Sequence, residues 1–234
     1  MTASFRSLVL ETLIIVGTLL TAALSQTDSA GLDRVLSQMD AAAKKFQSTE
    51  ANVVWDAYQK VVNETDTEKG KIYFRREGGE LQMAADFAEP DKKYVIYSSG
   101  KVQIYQPKID QVNEYNAGKD RSALESFLAL GFGGNGHDLL KSYDVKFLGS
   151  EAAGGITAEK LELIPQSAHL RNNVARILLW IDPARGIPVQ QQLFEPEGDF
   201  HLTKYFDIQI NTKLPEAIFK LKTTGKTKFV SSQG

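Results

Sequence analysis

The amino-acid sequence predicts an α+β protein in which helices pack on one face of a single curved, antiparallel β-sheet. Three observations support this fold class: an amphipathic helical segment precedes many short runs of alternating polarity, tight turns join those runs, and two short helical segments interrupt them. The 234 residues include 24% charged residues and carry a net charge of -2. This balance is typical of a soluble globular protein and gives no electrostatic attraction to nucleic acid.

The first 25 residues are expected to form a cleaved signal peptide, followed by one domain over residues 26–234. The apolar stretch 12–24 is shorter than the ~20 residues that a spanning helix needs. Arg6 precedes it, and the small residues Ala23 and Ser25 suit cleavage before residue 26. The alternative is an uncleaved N-terminal anchor. Because the chain has no cysteine to form disulfides or to accept a lipid, we expect export to a periplasm-like compartment.

The segment Ala30–Phe46 is expected to form one amphipathic helix. Its apolar residues recur at three- and four-residue spacing, which places them on one side of a helix. These residues are Leu32, Val35, Leu36, Met39 and Ala43. The stripe predicts that the helix packs its apolar side on the sheet.

Most of the remaining chain alternates in polarity over short runs, which predicts β-strands. The runs are 53–61, 71–75, 94–97, 101–105, 160–164, 174–181, 187–194, 202–210 and 218–221. Turn sequences separate them, such as Ser98-Ser99-Gly100, and short strands joined in this way indicate an antiparallel meander. Within 177–181 both faces are apolar, which fits either a core that is filled on both sides or a cavity along one face.

Two short helices are expected near the middle of the chain, over Ser122–Phe132 and Asp138–Tyr143, with glycines between them. Residues 131–136 match the spacing G-x-G-x-x-G. A dinucleotide site would need this loop after a strand and at the start of a helix, and no βαβ unit surrounds it. We therefore interpret the glycines as a hinge between the two helices.

The sequence contains no persuasive active site, and we expect neither enzymatic activity nor a cofactor or metal. The three histidines, His137, His169 and His201, have no second histidine at helical spacing. No cysteine and no Gly-x-Ser-x-Gly motif supplies a nucleophile. An enzyme would require a group of residues around His137 or His201 that the sequence does not reveal.

Two stretches of sequence and the order of the elements resemble the LolA family of periplasmic lipoprotein carriers. Residues 70–76, Gly-Lys-Ile-Tyr-Phe-Arg-Arg, are similar to a strand of that family that ends in arginine. Residues 98–107 are similar to a family segment that starts at Asp-Gly-Lys and continues through aromatic residues to a proline. The central pair of helices and Leu214–Phe219 also fit the family layout. At the position after Arg76, where the family has proline, this chain has Glu77.

The resemblance implies a half-barrel of antiparallel strands, with helices that form a lid over its concave apolar face. In this family the lid opens to admit the acyl chains of lipoproteins, which an inner-membrane ABC transporter supplies and an outer-membrane acceptor receives. Arg76 matches the family arginine that holds the lid to the barrel, and a buried guanidinium has five donors that suit loop carbonyls. The chain would then be a monomeric periplasmic chaperone for lipoprotein transport.

Such a carrier needs a large apolar cavity, because each CH₂ group that leaves water contributes about 0.8 kcal/mol. Besides Arg76, the residues expected to contact the cargo or the lid are Ile72, Phe74, Ile104, Leu128, Leu130, Phe132, Trp180 and Leu193. Each of them would also suit an ordinary core.

Other functions stay open on the sequence alone. The same fold would equally serve to carry or sense another amphiphile, such as a glycolipid, because a fold does not determine its ligand. A structural β-module with a filled core is a further alternative. We also expect little room after Phe229 for the additional C-terminal strand with which some carriers engage their transporter.

Overall fold

The computed structural model describes residues 29–116, 118, 125, 127, 128, 130 and 132–233. The strands are β1 (Ser48–Gln59), β2 (Glu64–Glu77), β3 (Glu80–Glu89), β4 (Lys93–Ser98), β5 (Lys101–Gln106), β6 (Gln111–Asn116), β7 (Tyr143–Ala153), β8 (Ile156–Pro165), β9 (Arg176–Asp182), β10 (Ile187–Phe194), β11 (Phe200–Ile210) and β12 (Lys228–Gln233). The α-helices are α1 (29–45) and α2 (Ala168–Arg171), and residues 125, 127 and 128 are also α-helical. The 3-10 helices lie at Pro107–Ile109, His137–Lys141 and Glu216–Phe219.

The twelve strands form one open sheet in the order β12-β6-β5-β4-β3-β2-β1-β11-β10-β9-β8-β7. Two meanders, β1 to β6 and β7 to β11, meet where β1 pairs with β11. Pairing is antiparallel except at one edge, where β12 runs parallel to β6. A large, mostly antiparallel open sheet with few helices is consistent with a curved half-barrel.

One face of the sheet, here called the inner face, carries the two largest apolar cores. Alternate strand residues point to this face, and α1 packs against it. In the first core, residues of α1 meet β8 and β9, and the buried side chains include Val35, Leu36, Met39, Leu161, Leu163, Ile177, Leu179 and Ile181. In the second core, Phe46 and Phe132 meet β1 to β4 and β11, and the buried side chains include Val53, Phe74, Met83, Tyr97 and Tyr205.

The opposite face, here called the outer face, has two smaller apolar clusters. Leu178 and Trp180 lie in one of them, with Val189. The apolar run 177–181 is therefore filled on both sides, because its odd-numbered residues belong to the inner core and its even-numbered residues to the outer cluster.

The predicted helix over residues 30–46 is confirmed, and the predicted strands from residue 53 to residue 210 all overlap observed strands. The prediction for 218–221 is wrong, because a 3-10 helix that begins after Pro215 lies there. The predicted short helix over 138–143 is confirmed as the 3-10 helix His137–Lys141, but it ends earlier than predicted and Tyr143 starts β7.

The expectation that the C-terminus leaves little room for an additional strand also needs correction, because β12 forms over Lys228–Gln233 and pairs with β6. The expected signal peptide, residues 1–25, lies outside the described residues, as do several residues of the predicted helix 122–132. In the described part of the chain, no helix has the length and apolar character needed to cross a membrane.

The first core gives a direct test of the packing of α1 on the sheet. Leu179 is fully buried there, so Leu179→Ala is expected to lower the free energy of unfolding by about 2–5 kcal/mol, through lost apolar burial and the cavity that remains. The matched control is Leu148→Ala in β7, because Leu148 is 48% exposed and a surface change is worth about 0.5 kcal/mol or less. Urea unfolding measures both variants, and equal losses would contradict the assigned packing.

Candidate functional site

The segment 132–136, here called the glycine loop, closely approaches α1 at Leu36 and the residue after α1, Phe46. Gly133 has a φ of 82°, and a Cβ there would lie 2.6 Å from the ring of Phe46. A Cβ on Gly136 would lie 2.4 Å from the backbone oxygen of Leu36. Both distances are too short for a side chain, so the glycines let the loop lie directly on the helix.

Phe132 attaches the glycine loop to the inner face of the sheet. Its ring centroid lies 5.3 Å from that of Phe74 and 5.2 Å from that of Tyr205, the second in an edge-on arrangement. All three side chains are buried. Burial also raises the pKa of the Tyr205 phenol, so this ring stays neutral at physiological pH.

Arg76, at the end of β2, contacts the glycine loop directly. Its Nη2 donates a hydrogen bond of 2.7 Å to the carbonyl of Gly133, and its Nη1 donates a longer one of 3.4 Å to Gly79. The backbone N–H of Arg76 donates to Gln47, just after α1. The sequence predicted a buried guanidinium, whereas Arg76 is exposed, because it lies at the end of the strand and not under the helix.

His137 follows the glycine loop and links it to α1 by a second set of contacts. Its Nδ1 lies 2.5 Å from Oδ2 of Asp40, its Nε2 lies 3.4 Å from Oδ1 of Asp33, and its backbone N–H donates to Asp40. The hydrogen bond to Asp40, supported by Asp33, raises the pKa of His137. Burial pushes the pKa of Asp40 upward, but the hydrogen bonds from His137 outweigh this effect and the pKa is lowered.

Two adjacent pockets border the glycine loop and share Met39, Gly133 and Gly134. The first, of about 260 Å³, is mainly apolar, and its walls include Met39, Ala42, Phe46, Leu130, Phe132, Ile187 and Ile210. The second, of about 320 Å³, is more polar, and its walls include Arg76, Glu80, Glu125, Asn135, Asp138 and Tyr143. An apolar chain therefore fits one side of the loop, and polar groups fit the other.

Polar side chains interrupt the inner face further from the glycine loop. The ring of His201 stacks on Trp55 at 5.1 Å, and its Nε2 lies 3.0 Å from Oε1 of Glu195. Nδ1 of His201 and Oε1 of Gln191 are buried there without a hydrogen-bond partner. Because unpaired buried polar atoms are costly, the half of the inner face near the glycine loop is the better place for an apolar ligand.

The predicted cargo residues fall into three groups in the structure. Arg76, Leu130 and Phe132 line the two pockets. Four others pack in or against the inner cores: Ile72, Phe74, Leu128 and Leu193. Ile104 lies on the same face, because it pairs with Val95, which packs against the second core. Trp180 is the exception, because it lies in the outer cluster and its Nε1 donates to Glu151. The prediction that Trp180 lines the cavity together with inner-face residues is therefore wrong. Neighbouring residues of a strand point to opposite faces, and Leu179 points to the inner face.

Sequence reasoning missed the part of the apolar pocket that α1 supplies. Met39, Ala42 and Phe46 form one wall, and Ile187 forms another. The continuation of the apolar stripe to the last turn of α1 was the available signal. Within the residues that the structure describes, no group of three or more histidine, aspartate or glutamate side chains is placed to hold a metal ion.

Comparisons with known proteins agree with this geometry. The family model described as "Outer membrane lipoprotein carrier protein LolA" matches residues 44–222. No curated protein matches the sequence. The crystal structure of MucB superimposes with a TM-score of 0.53 at 15% identity, and the match covers 82% of this chain but only 63% of the MucB chain.

An uncharacterized conserved protein from Thermus thermophilus has a similar structure. The TM-score is 0.52 at 15% identity, and the match covers 87% of this chain and 98% of the other. At this level of identity the two structures support the fold alone.

The contact between His137 and Asp40 predicts a pH-dependent contribution to stability. The pKa of His137 is raised in the folded state, so the contact stabilises the protein fully below the ordinary value of 6.5 and loses its effect as the pH rises through the raised pKa. His137→Gln is therefore expected to lower the free energy of unfolding more at pH 5.5 than at pH 9, as measured by urea unfolding.

Asp40→Asn and the double variant complete a cycle that isolates the pair. We expect coupling between the two positions at pH 5.5 and little coupling at pH 9. Asp33 and Asp138 also act on the His137 ring, Lys141 pairs with Asp138, and these three residues are unchanged in all four proteins. Coupling that does not change with pH would show that the contact is not electrostatic.

Proposed function

This chain belongs to the LolA family of outer membrane lipoprotein carrier proteins, and from this premise we propose that it shuttles lipoproteins from the inner to the outer membrane. The family consists of periplasmic binding proteins and not of enzymes. The proposed cargo is held by its acyl chains in an apolar cavity on the inner face. The proposed mature protein is a monomer over residues 26–234, released from a signal peptide over residues 1–25.

The observation that carries this proposal is the apolar pocket between α1, the glycine loop and the sheet. Cavities for small ligands usually measure about 300–1,000 Å³, and this pocket of about 260 Å³ is below that range. We infer that this pocket is the entrance to a larger site, which opens when cargo binds. An acyl chain would extend the pocket by taking the place of side chains in the second core.

We infer that the glycine loop forms the lid of this site and closes it against α1 and the sheet. Movement of the loop would take the Phe132 ring away from Phe74 and Tyr205 and expose the apolar inner face below it. The hydrogen bond from Arg76 to Gly133 and the contact of His137 with Asp40 both oppose this movement. The proposed role of Arg76 is to stabilise the closed form without contacting the acyl chain.

The same contacts would make cargo binding reversible. Each CH₂ group of an acyl chain that enters the cavity contributes about 0.8 kcal/mol. Displacing Phe132 costs about 1.5–3 kcal/mol of apolar burial, in addition to the loop contacts. Part of the binding energy is thus used to open the lid, which lets an outer-membrane acceptor withdraw the cargo that an inner-membrane ABC transporter supplied.

The filled second core supports a second candidate, a structural β-module without a ligand. Phe74, Phe132 and Tyr205 are at most 3% exposed, so the core needs no ligand to exclude water. A carrier or sensor of another lipid or a glycolipid would use the same cavity, and only the identity of the bound molecule separates it from a lipoprotein carrier.

Native mass spectrometry of the mature protein, purified gently from its own envelope, tests the proposal. We expect a co-purifying acylated mass that detergent removes. A lipoprotein would support the shuttle, and a free lipid or glycolipid would replace it with the related carrier or sensor. Protein that is consistently empty and takes up no fluorescent acyl probe would favour the structural module.

Arg76→Leu tests the proposed lid. Loss of the bond to Gly133, worth about 0.5–1.5 kcal/mol, shifts the population toward the open form and is expected to raise the affinity for an acyl probe about two- to tenfold. Lys71→Leu is the matched control, because it removes a cation from the outer face of the same strand. Fluorescence titration measures both, and an unchanged or lower affinity for Arg76→Leu alone would contradict the lid.

A further inference from the structure

A separate pocket of about 380 Å³ lies on the outer face, where the segment 214–222, here called the covering segment, crosses β2, β3 and β4. Tyr73, Ala84 and Ile96 form its floor, and they alternate with strand residues that point to the inner face. Ile218 and Leu221 of the covering segment form the opposite wall. The sheet therefore separates this pocket from the glycine loop.

The covering segment is firmly attached to the sheet, so the pocket has defined walls. The buried ring of Phe219 lies under the guanidinium of Arg75, with 4.2 Å between the Arg75 Cζ and the ring centroid. Nη2 of Arg75 also donates to Glu216 at 2.9 Å, and its Nε donates to Gln82 at 2.7 Å. The contacts of Arg75 with Glu216 and with Phe219 hold the first and the last residue of the 3-10 helix that borders the pocket.

The charges around this pocket leave a cation without a partner. Asp86 is paired with Lys92, and Glu216 is paired with Arg75 and Lys220. In the part of the chain that the structure describes, Lys222 makes no ion pair or hydrogen bond, although it lines the pocket. The hydroxyl of Tyr73 likewise has no hydrogen-bond partner among the described residues.

We propose that this outer pocket binds a short amphipathic anion, with its apolar chain between the sheet and the covering segment and its anionic group at Lys222. The chain would contact Ala84, Ile96 and Ile218. A carboxylate and a phosphate monoester present the same chemistry to the Lys222 ammonium group. The site is additional to the proposed acyl-chain cavity and does not depend on it.

The experiment is an NMR titration of the isotope-labelled mature protein with hexanoate, hexyl phosphate and 1-hexanol. We expect saturable shifts of the backbone amides of Ala84, Ile96, Ala217 and Leu221 with the two anions, and weaker binding of the alcohol. The anion that binds with the higher affinity identifies the preferred headgroup. Shifts confined to the glycine loop would overturn the outer site while leaving the carrier proposal intact. Shifts confined to the outer pocket would support the outer site and leave the carrier proposal to the test with acylated cargo.

Two variants separate charge from shape in this pocket. Lys222→Gln is expected to weaken anion binding roughly three- to tenfold and to leave 1-hexanol unaffected. Ala217→Trp is expected to fill the pocket and to abolish binding of all three probes, with the folded spectrum of the rest of the protein retained. Anion affinity that is unchanged in Lys222→Gln would overturn the proposed recognition.

Discussion

Phe132 packs its ring against Phe74 and Tyr205, and the closed arrangement of the glycine loop depends on this aromatic contact. Full burial of a phenylalanine side chain stabilises a protein by about 1.5–3 kcal/mol. The exposed hydrogen bond from Arg76 contributes about 0.5–1.5 kcal/mol. The aromatic contact therefore determines the position of the loop, and the contacts of Arg76 and His137 change the population of the open form. Any ligand that enters the second core must compete with Phe132 for the same space.

Strand β2 connects the two faces of the sheet through the alternation of neighbouring side chains. Arg76 points toward the glycine loop, whereas Arg75 points to the outer face and holds the covering segment at Phe219. Two adjacent arginines thus stabilise two different segments on opposite sides of one strand. A displacement of this strand would affect both segments, which gives a physical route by which a partner on the outer face would influence the loop.

The sequence predicted those features that depend on local pattern. The stripe of α1 and most strands follow from periodicity, and the resemblance pointed to Arg76, which does bond to the glycine loop. Strand β3 was missed, because its alanines and acidic residues favour no strand and pairing with β2 and β4 decides its structure. The contact between His137 and Asp40 joins residues 97 positions apart, so no local pattern indicates it. The face that Trp180 occupies likewise depends on strand register, which no single strand reveals.

The most direct test of the central claim follows the Phe132 ring itself during ligand binding. Incorporation of 4-fluorophenylalanine at position 132 gives one ¹⁹F NMR signal from the buried ring. Titration with a diacylated lipopeptide is expected to shift or replace this signal in proportion to the bound fraction, because the acyl chains displace the ring from Phe74 and Tyr205. A lipopeptide that binds stoichiometrically while the signal stays unchanged would show that acyl chains bind elsewhere and that the glycine loop is not the lid.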